Sequence, residues 1–353
     1  MVLTFGVLSG LSVVTFTWIS EWSFALFESM HQSILYWPLI WTPLLTGLIV
    51  WLTRVWAPGC AGSGIPQVIA ALSLRTRQSE ILLFASLKIT IAKILLSASG
   101  LLAGLSLGRE GPSVQVGAGV MHAAKKWLPQ NSGVSDHGLL IAGGAAGIAA
   151  AFNTPLGGIM FAIEELSKRP EQRSNGLLMA AIVLGGLMGI SIYGNSTYFG
   201  VIQVQNLSWQ LLLPGLAVTM ACGLIGGLFS RLLVFTLSSS PKTALGRFRS
   251  EKPIKFAMLC GLAVAIIGVL SHGATFGSGY EHTRAILEGH TLNDGFYTAL
   301  KFLATWLTAW SGVPGGVFAP ALSIGSALGA DIASLTGHFD TPALVALGMA
   351  GFL

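Results

Sequence analysis

Five consecutive residues, Gly108-Arg109-Glu110-Gly111-Pro112, place a guanidinium and a carboxylate between two apolar stretches. Charged side chains in such surroundings are unfavourable, so they line a pathway or pair with each other. Pro112 suits the first turn of a helix, where its missing N–H is not needed. Glu110 then lies at a helix N-terminus, which favours an anion. A free anion would bind there once the carboxylate swings away; an Arg109–Glu110 ion pair is the structural alternative.

Two further segments offer neutral hydrogen-bond donors at helix starts. Ser63 stands between two glycines and precedes Ile65-Pro66, and two glycines precede Val317 and Phe318. A hydroxyl and free backbone N–H groups can hold an anion without a fixed charge that would trap it. The alternatives are an ordinary Ser-Gly turn and a helix cap with Phe318 packed in the core.

Three other charged residues stand out beside apolar runs. Glu164 and Glu165 follow a charge-free stretch and precede the basic residues Lys168 and Arg169, which predicts the aqueous end of a helix. Adjacent helical residues point about 100° apart, so one carboxylate can face solvent and the other the protein. The inner one could take protons from the cytosol, although a solvated helix end explains the pair equally. Lys93, in an apolar helix, either adds positive potential to the interior or extends to the surface.

The elements that carry these residues must be membrane helices. Of 353 residues, 9% are charged and 53% hydrophobic, against roughly 25% charged in soluble proteins, and the mean hydropathy is +0.73. Charge-free runs such as 174–230 and 302–330 exceed the roughly 20 residues that cross a bilayer. Strand periodicity is absent, and Met1–Ser20 lacks the charged start of a signal peptide. An all-α polytopic membrane protein is therefore expected.

Several classes of function find no support in the sequence. The cations behind the net charge of +5 are scattered between apolar runs, which argues against nucleic-acid binding. Cys60, Cys222 and Cys260 have neither disulfide nor zinc spacing, and no catalytic histidine constellation lies in an apolar run. We expect no enzyme activity, no catalytic or metal site and no cofactor. The positive-inside rule places the densest basic cluster in the cytosol; its members are Lys242, Arg247, Arg249, Lys252 and Lys255.

The two halves of the chain share ordered motifs. Three segments recur 215, 208 and 204 residues later: Gly62-Ser63-Gly64 as Gly277-Ser278-Gly279, Arg109–Pro112 as Val317–Pro320, and Gly144–Gly147 as Gly348–Gly351. Such duplication in transporters usually gives inverted repeats with the site at their interface; chance similarity of Gly-rich segments is the alternative. We predict a first inverted repeat at 1–237, a cytosolic connector at 238–253 and a second repeat at 254–353 that ends early.

Together these segments resemble the CLC family of chloride channels and proton/chloride exchangers. The resemblance covers essentially the whole chain, in family order and spacing. It rests on GSGIP at 62–66, GREGP at 108–112, AAFNTPLGG at 150–158 followed by Glu164-Glu165, and GGVFAP at 315–320. It implies two inverted helical repeats with broken and tilted helices, and a homodimer with one pore per subunit.

The resemblance also implies roles for individual residues. Glu110 is the expected gate, which blocks the outer pathway when ionised and opens when protonated or displaced. The chloride ligands are expected at the three helix starts: Ser63, Gly111, Val317 and Phe318. Lys93 and Arg109 are expected to supply a positive electrostatic potential along the pore. Glu165 matches the internal proton-transfer glutamate of exchangers. Ser63, where nitrate-preferring relatives carry proline, and the Gly111-Pro112 pair favour chloride over nitrate and fluoride.

The sequence therefore predicts a proton-coupled chloride antiporter of the bacterial inner membrane. Its expected partners are chloride, protons, membrane lipid and a second copy of the chain. The alternative is a passive, voltage-gated chloride channel of the same fold. The family's pore tyrosine cannot be placed, because the chain ends before that region.

Overall fold

The chain folds into helices of very unequal length. The structure is a computed structural model that describes residues 1–73, 78–129, 132–167, 176–194, 198–200, 204, 209–238, 243–288, 296–337 and 340–353. The α-helices of these residues are α1 (Val2–Ser33), α2 (Pro38–Trp56), α3 (Ile65–Ser73), α4 (Gln78–Ile81), α5 (Leu87–Leu102), α6 (Glu110–Ala123), α7 (Asp136–Ala151), α8 (Pro155–Phe161), α9 (Gly176–Tyr193), α10 (Leu212–Leu237), α11 (Ala244–Glu251), α12 (Pro253–Leu270), α13 (Tyr280–Leu287), α14 (Tyr297–Ser311), α15 (Phe318–Thr336) and α16 (Thr341–Phe352).

Six helical segments of the described residues are long and apolar enough to cross a membrane. They are Val2–Ser33, Pro38–Trp56, Gly176–Tyr193, Trp209–Thr236, Pro253–Leu270 and Phe318–Thr336. Large apolar side chains on them, including Trp18, Trp51 and Leu224, are exposed, as contact with lipid requires. The remaining helices are shorter, and two of them, α6 and α7, are almost wholly buried. The prediction of an all-α multi-pass membrane protein is confirmed.

Two helices extend into segments where the charge pattern indicated a helix end or a connector. Helix α1 continues to Ser33, although charge-free sequence ends before Glu21. Glu21 is tolerated there because it pairs with Arg109 at 2.6 Å. The second helix is α11, an amphipathic helix inside the predicted connector, where residues 239–242, including Lys242, lie outside the described part.

The two halves contact each other through equivalent residues. Gly108 N–H donates to the Gly316 carbonyl at 2.7 Å, and Gly316 N–H donates to the Gly108 carbonyl at 2.9 Å. These glycines are 208 positions apart, the offset of the Arg109–Pro112 and Val317–Pro320 motifs. A reciprocal pair of this kind is what a two-fold axis between inverted repeats produces.

Helices at corresponding positions in the two halves also pack in the same way. Helix α1 packs against α5, α6 and α7, and α10 packs against α14, α15 and α16. The same pattern of packing thus recurs in the two halves of the chain. The repeat limits 1–237 and 254–353 themselves stay a prediction.

Candidate functional site

Three helix N-termini meet at the centre of the molecule, each brought there by one of the motifs. The starts are those of α3 after Ser63, α6 at Glu110 and α15 at Phe318. The Ser63 hydroxyl and carbonyl lie directly against Gly111, so closely that a Cβ on Gly111 would overlap them. Gly315 N–H donates to the Gly62 carbonyl at 3.2 Å. The structure therefore brings together all four residues expected to bind chloride.

The chemistry of this junction suits an anion. The first N–H groups of a helix have no partner within the helix, and here three such ends converge, with Val317 as the N-cap of α15. The glycines around the junction let backbones approach closely where larger residues would fill the space. Backbone amides and the Ser63 hydroxyl can then share a single small anion without a fixed positive charge.

The loop that carries Ser63 is held from behind by Lys93. The Lys93 Nζ donates to the carbonyls of Cys60 at 2.9 Å and Gly62 at 2.6 Å. Gly62 and Gly64 have positive φ angles of 84° and 114°, which favour glycine. Lys93 is completely buried, so of the two orientations expected for it, extension to the surface is wrong.

Glu110 is a completely buried carboxylate in the first turn of α6. Its Oε1 accepts a hydrogen bond of 2.8 Å from the Tyr198 hydroxyl. Its Oε2 lies beside Gly108 and has no hydrogen-bond partner among the described residues. Among the same residues, Arg109 forms an ion pair with Glu21 of α1. The Arg109–Glu110 ion pair, which was the structural alternative, is therefore not formed. One carboxylate oxygen of Glu110 is thus hydrogen-bonded, and the other has no hydrogen-bond partner among the described residues.

A cavity of about 620 Å³ lies in front of Glu110. Helix α12 leads from the basic connector to the turn at 271–279, which lines this cavity. If the connector is cytosolic, as the positive-inside rule predicts, the cavity lies on the outer side of the membrane, and we call it the outer cavity. Arg109, Glu110 and Tyr198 are among the residues that line it. The other ionisable groups in its wall come from α1, α9 and the region around α13: Glu21, Glu28, His31, Tyr193, His272, Tyr280, Glu281 and His282.

The acidic pair occupies a π-helical turn, Ala162–Ser167, that continues α8. Glu164 is exposed, whereas Glu165 is half-buried, the division expected for adjacent helical residues. The turn packs against α3 and α7, and π-helical turns recur at functional sites. The proton-transfer role of Glu165 stays a prediction.

Two residues of this region, Tyr198 and Lys301, were not predicted from the sequence. Tyr198 lies between α9 and α10, in sequence without periodicity or motif, so no signal could have indicated it. Lys301 is completely buried in α14 and lies 208 positions after Lys93, so the repeat offset could have found it.

The described residues contain no group of three or more His, Cys, Asp or Glu arranged to hold a metal ion. Cys60, Cys222 and Cys260 are buried free thiols. The absence of a cofactor stays an expectation.

Apolar spans around a buried junction of three helix N-termini define a multi-pass integral membrane protein whose interior suits an anion. The pattern of the family described as "Voltage gated chloride channel" matches residues 45–353. Sequence relatives include the H(+)/Cl(-) exchange transporters ClcA of Citrobacter koseri and Salmonella arizonae, 32% and 30% identical over 340 residues, or 92% of this chain and 69% of each relative. The chain belongs to this family, the CLC family, as its motifs predicted.

Solved structures with a similar fold include two antiporters. A CLC-type fluoride/proton antiporter has a TM-score of 0.81 at 23% identity, covering 99% of this chain and 84% of that one. A slow cyanobacterial Cl-/H+ antiporter has a TM-score of 0.79 at 22% identity, covering 99% and 83%. These likenesses confirm the predicted CLC fold.

Proposed function

We propose that this protein exchanges chloride for protons across a bacterial inner membrane. The observation that carries the proposal is the completely buried Glu110 at the start of α6, beside the junction of three helix N-termini, with its carboxylate hydrogen-bonded to Tyr198. When this carboxylate turns into the junction, it competes with a free anion for the same partial positive charges. Protonation neutralises the carboxylate and releases it, so anion binding and proton binding become linked.

Proton coupling requires a second ionisable group on the cytosolic side. Amide and hydroxyl donors hold chloride but offer no base, so a proton cannot follow the anion through its site. Glu165 is half-buried in the π-helical turn beside α3, and the basic residues Lys168 and Arg169 follow it in sequence. Glu165 therefore passes protons between the cytosol and Glu110 in this proposal.

The choice of chloride rests on the residues around the gate. Ser63 supplies a hydroxyl where nitrate-preferring relatives carry proline, and Gly111-Pro112 is the chloride-type sequence after the gating glutamate. Sequence relatives at 30–32% identity are named H(+)/Cl(-) exchange transporters, which supports exchange over passive conduction. We further propose a homodimer with one pore per subunit, embedded in lipid, with no enzymatic activity.

Purified protein in liposomes tests the proposal directly. An outward chloride gradient is imposed, and the external pH and chloride concentration are recorded together. Exchange predicts that chloride efflux drives proton uptake against a proton gradient, and that Glu110→Ala stops proton movement while chloride still flows. Chloride flux with no proton flux in the unmutated protein would instead identify a passive channel.

A further inference from the structure

The hydroxyl of Tyr198 makes a contact that the proposed exchange does not require. Tyr198 precedes α10, 88 residues after Glu110 in the sequence, and donates to Glu110 Oε1 at 2.8 Å. No other side-chain donor to the Glu110 carboxylate is found in the described part of the chain. The arrangement of the gating carboxylate seen here thus rests on one hydroxyl.

The Tyr198 ring is fixed by aromatic neighbours from separate elements. Its centroid lies 5.1 Å from that of Phe152, which follows α7, and 5.1 Å from that of Tyr280, which begins α13. Phe199 packs edge-on at 4.7 Å, and the guanidinium carbon of Arg109 lies 5.8 Å from the ring centroid. Packed aromatic rings of this kind have few alternative rotamers. The hydroxyl is therefore held at the carboxylate by the surrounding structure and does not depend on the carboxylate for its own position.

We propose that Tyr198 is a positioning residue that holds Glu110 in its displaced arrangement, facing the outer cavity. A buried carboxylate that leaves the helix N-termini loses their partial charges, and a hydrogen bond from a neutral donor compensates part of that loss. Tyr198 thereby favours the state in which the anion site is free for chloride. This inference rests on the proposed role of Glu110 as the gate.

The same hydroxyl serves both protonation states of the gate. A tyrosine hydroxyl donates to an ionised carboxylate and can accept from a protonated one. The other ionisable groups close to Glu110 are Arg109, its partner Glu21 and Tyr280. Arg109 is engaged with Glu21, so Tyr198 is left as the direct partner of the Glu110 carboxylate.

Chloride binding to purified protein, measured by isothermal titration calorimetry, tests the proposal without any need for transport. In Tyr198→Phe the ring packing is kept and the hydroxyl is lost, so Glu110 returns more often to the anion site and chloride should bind about tenfold more weakly. In a Glu110→Ala background the competitor is gone, and Tyr198→Phe should then change chloride affinity less than about twofold. The matched control is Tyr193→Phe, on the wall of the same cavity, which should bind chloride like the unmutated protein.

The outcomes separate the inference from the proposed function. Glu110→Ala should bind chloride more tightly than the unmutated protein; if it does not, Glu110 is not a competitor and the gate role fails. If Glu110→Ala binds more tightly but Tyr198→Phe is unchanged, the positioning role alone is wrong. An equal loss of affinity from Tyr198→Phe with and without Glu110 would also overturn it, since Tyr198 would then act on the site by another route.

Discussion

Lys93 and Lys301 hold equivalent loops in the two halves of the molecule. The Nζ of Lys93 donates to the carbonyls of Cys60 and Gly62, and the Nζ of Lys301 donates to those of Thr275 and Gly277 at 2.9 and 2.8 Å. Both lysines are completely buried. The Lys93 loop carries Ser63 to the proposed anion site, whereas the Lys301 loop carries Ser278 to the wall of the outer cavity. A buried lysine thus stabilises the equivalent loop in each half of the molecule.

We expect Lys93→Met and Lys301→Met to differ in chloride binding but not in stability. Each removes two buried hydrogen bonds and leaves carbonyls unsatisfied, which should lower the free energy of unfolding by about 2 kcal/mol. Lys93→Met also frees the Ser63 loop, so chloride should bind about tenfold more weakly, a change of about 1.4 kcal/mol. Thermal unfolding and calorimetric titration measure the two effects. Equal losses of chloride affinity would contradict the separation.

Replacement of Glu110 by Gln or Ala should abolish proton movement and pH-sensitive gating while chloride still passes. The side chain that exchanges protons and competes with chloride is removed, and the amides that bind the anion remain. Chloride efflux from liposomes, measured between pH 4.5 and pH 7.5, should become nearly independent of pH. Proton transport retained in Glu110→Ala is the result that this prediction forbids.

Ser63→Pro should shift the preference of the site from chloride towards nitrate. Proline removes both the hydroxyl and the backbone N–H of residue 63, whereas Ser63→Thr keeps the hydroxyl and should keep most of the selectivity. Competition between the two anions in the binding or flux assay gives the ratio. An unchanged chloride/nitrate ratio in Ser63→Pro would show that Ser63 does not contribute to anion selectivity.

Glu165→Gln should stop proton uptake driven by a chloride gradient, while chloride flux survives. The half-buried carboxylate is the proposed proton donor to the interior, and an amide cannot replace it. Glu164 is the matched control, because it lies in the same turn but is exposed, and Glu164→Gln should leave both fluxes largely intact. If the two variants behave alike, Glu165 is an ordinary solvated helix end.

Gly111→Ala should abolish chloride binding, because the added methyl group would occupy the space of the Ser63 hydroxyl. Gly223→Ala in α10 adds the same methyl group with nothing within 4 Å of it, and it should leave chloride binding unchanged. Both variants are compared by calorimetric titration with chloride. Normal binding in Gly111→Ala would show that the contact between Gly111 and Ser63 does not shape the site.

The sequence predicted the fold and the residues that converge at the site because glycine, proline and charge interrupt long apolar runs there. Prediction from the sequence failed where a residue is stabilised by a partner that is distant in the chain. Helix α1 continues past Glu21 because Arg109, 88 residues away, neutralises it. Tyr198 reaches Glu110 only through the fold, and nothing in its neighbourhood of the chain indicates that contact. Lys301 was predictable from the repeat, since the offset that relates Arg109 to Val317 also relates Lys93 to Lys301.

The reciprocal hydrogen bonds between Gly108 and Gly316 restrict how the molecule can move during transport. Many secondary transporters alternate between states by rocking one repeat against the other. Here the two repeats are joined by main-chain bonds one residue before Arg109 and Val317, beside the starts of α6 and α15. Rocking would shear this joint and displace both helix starts at once. Access to the anion is therefore expected to alternate by local rotation of side chains within a stationary backbone.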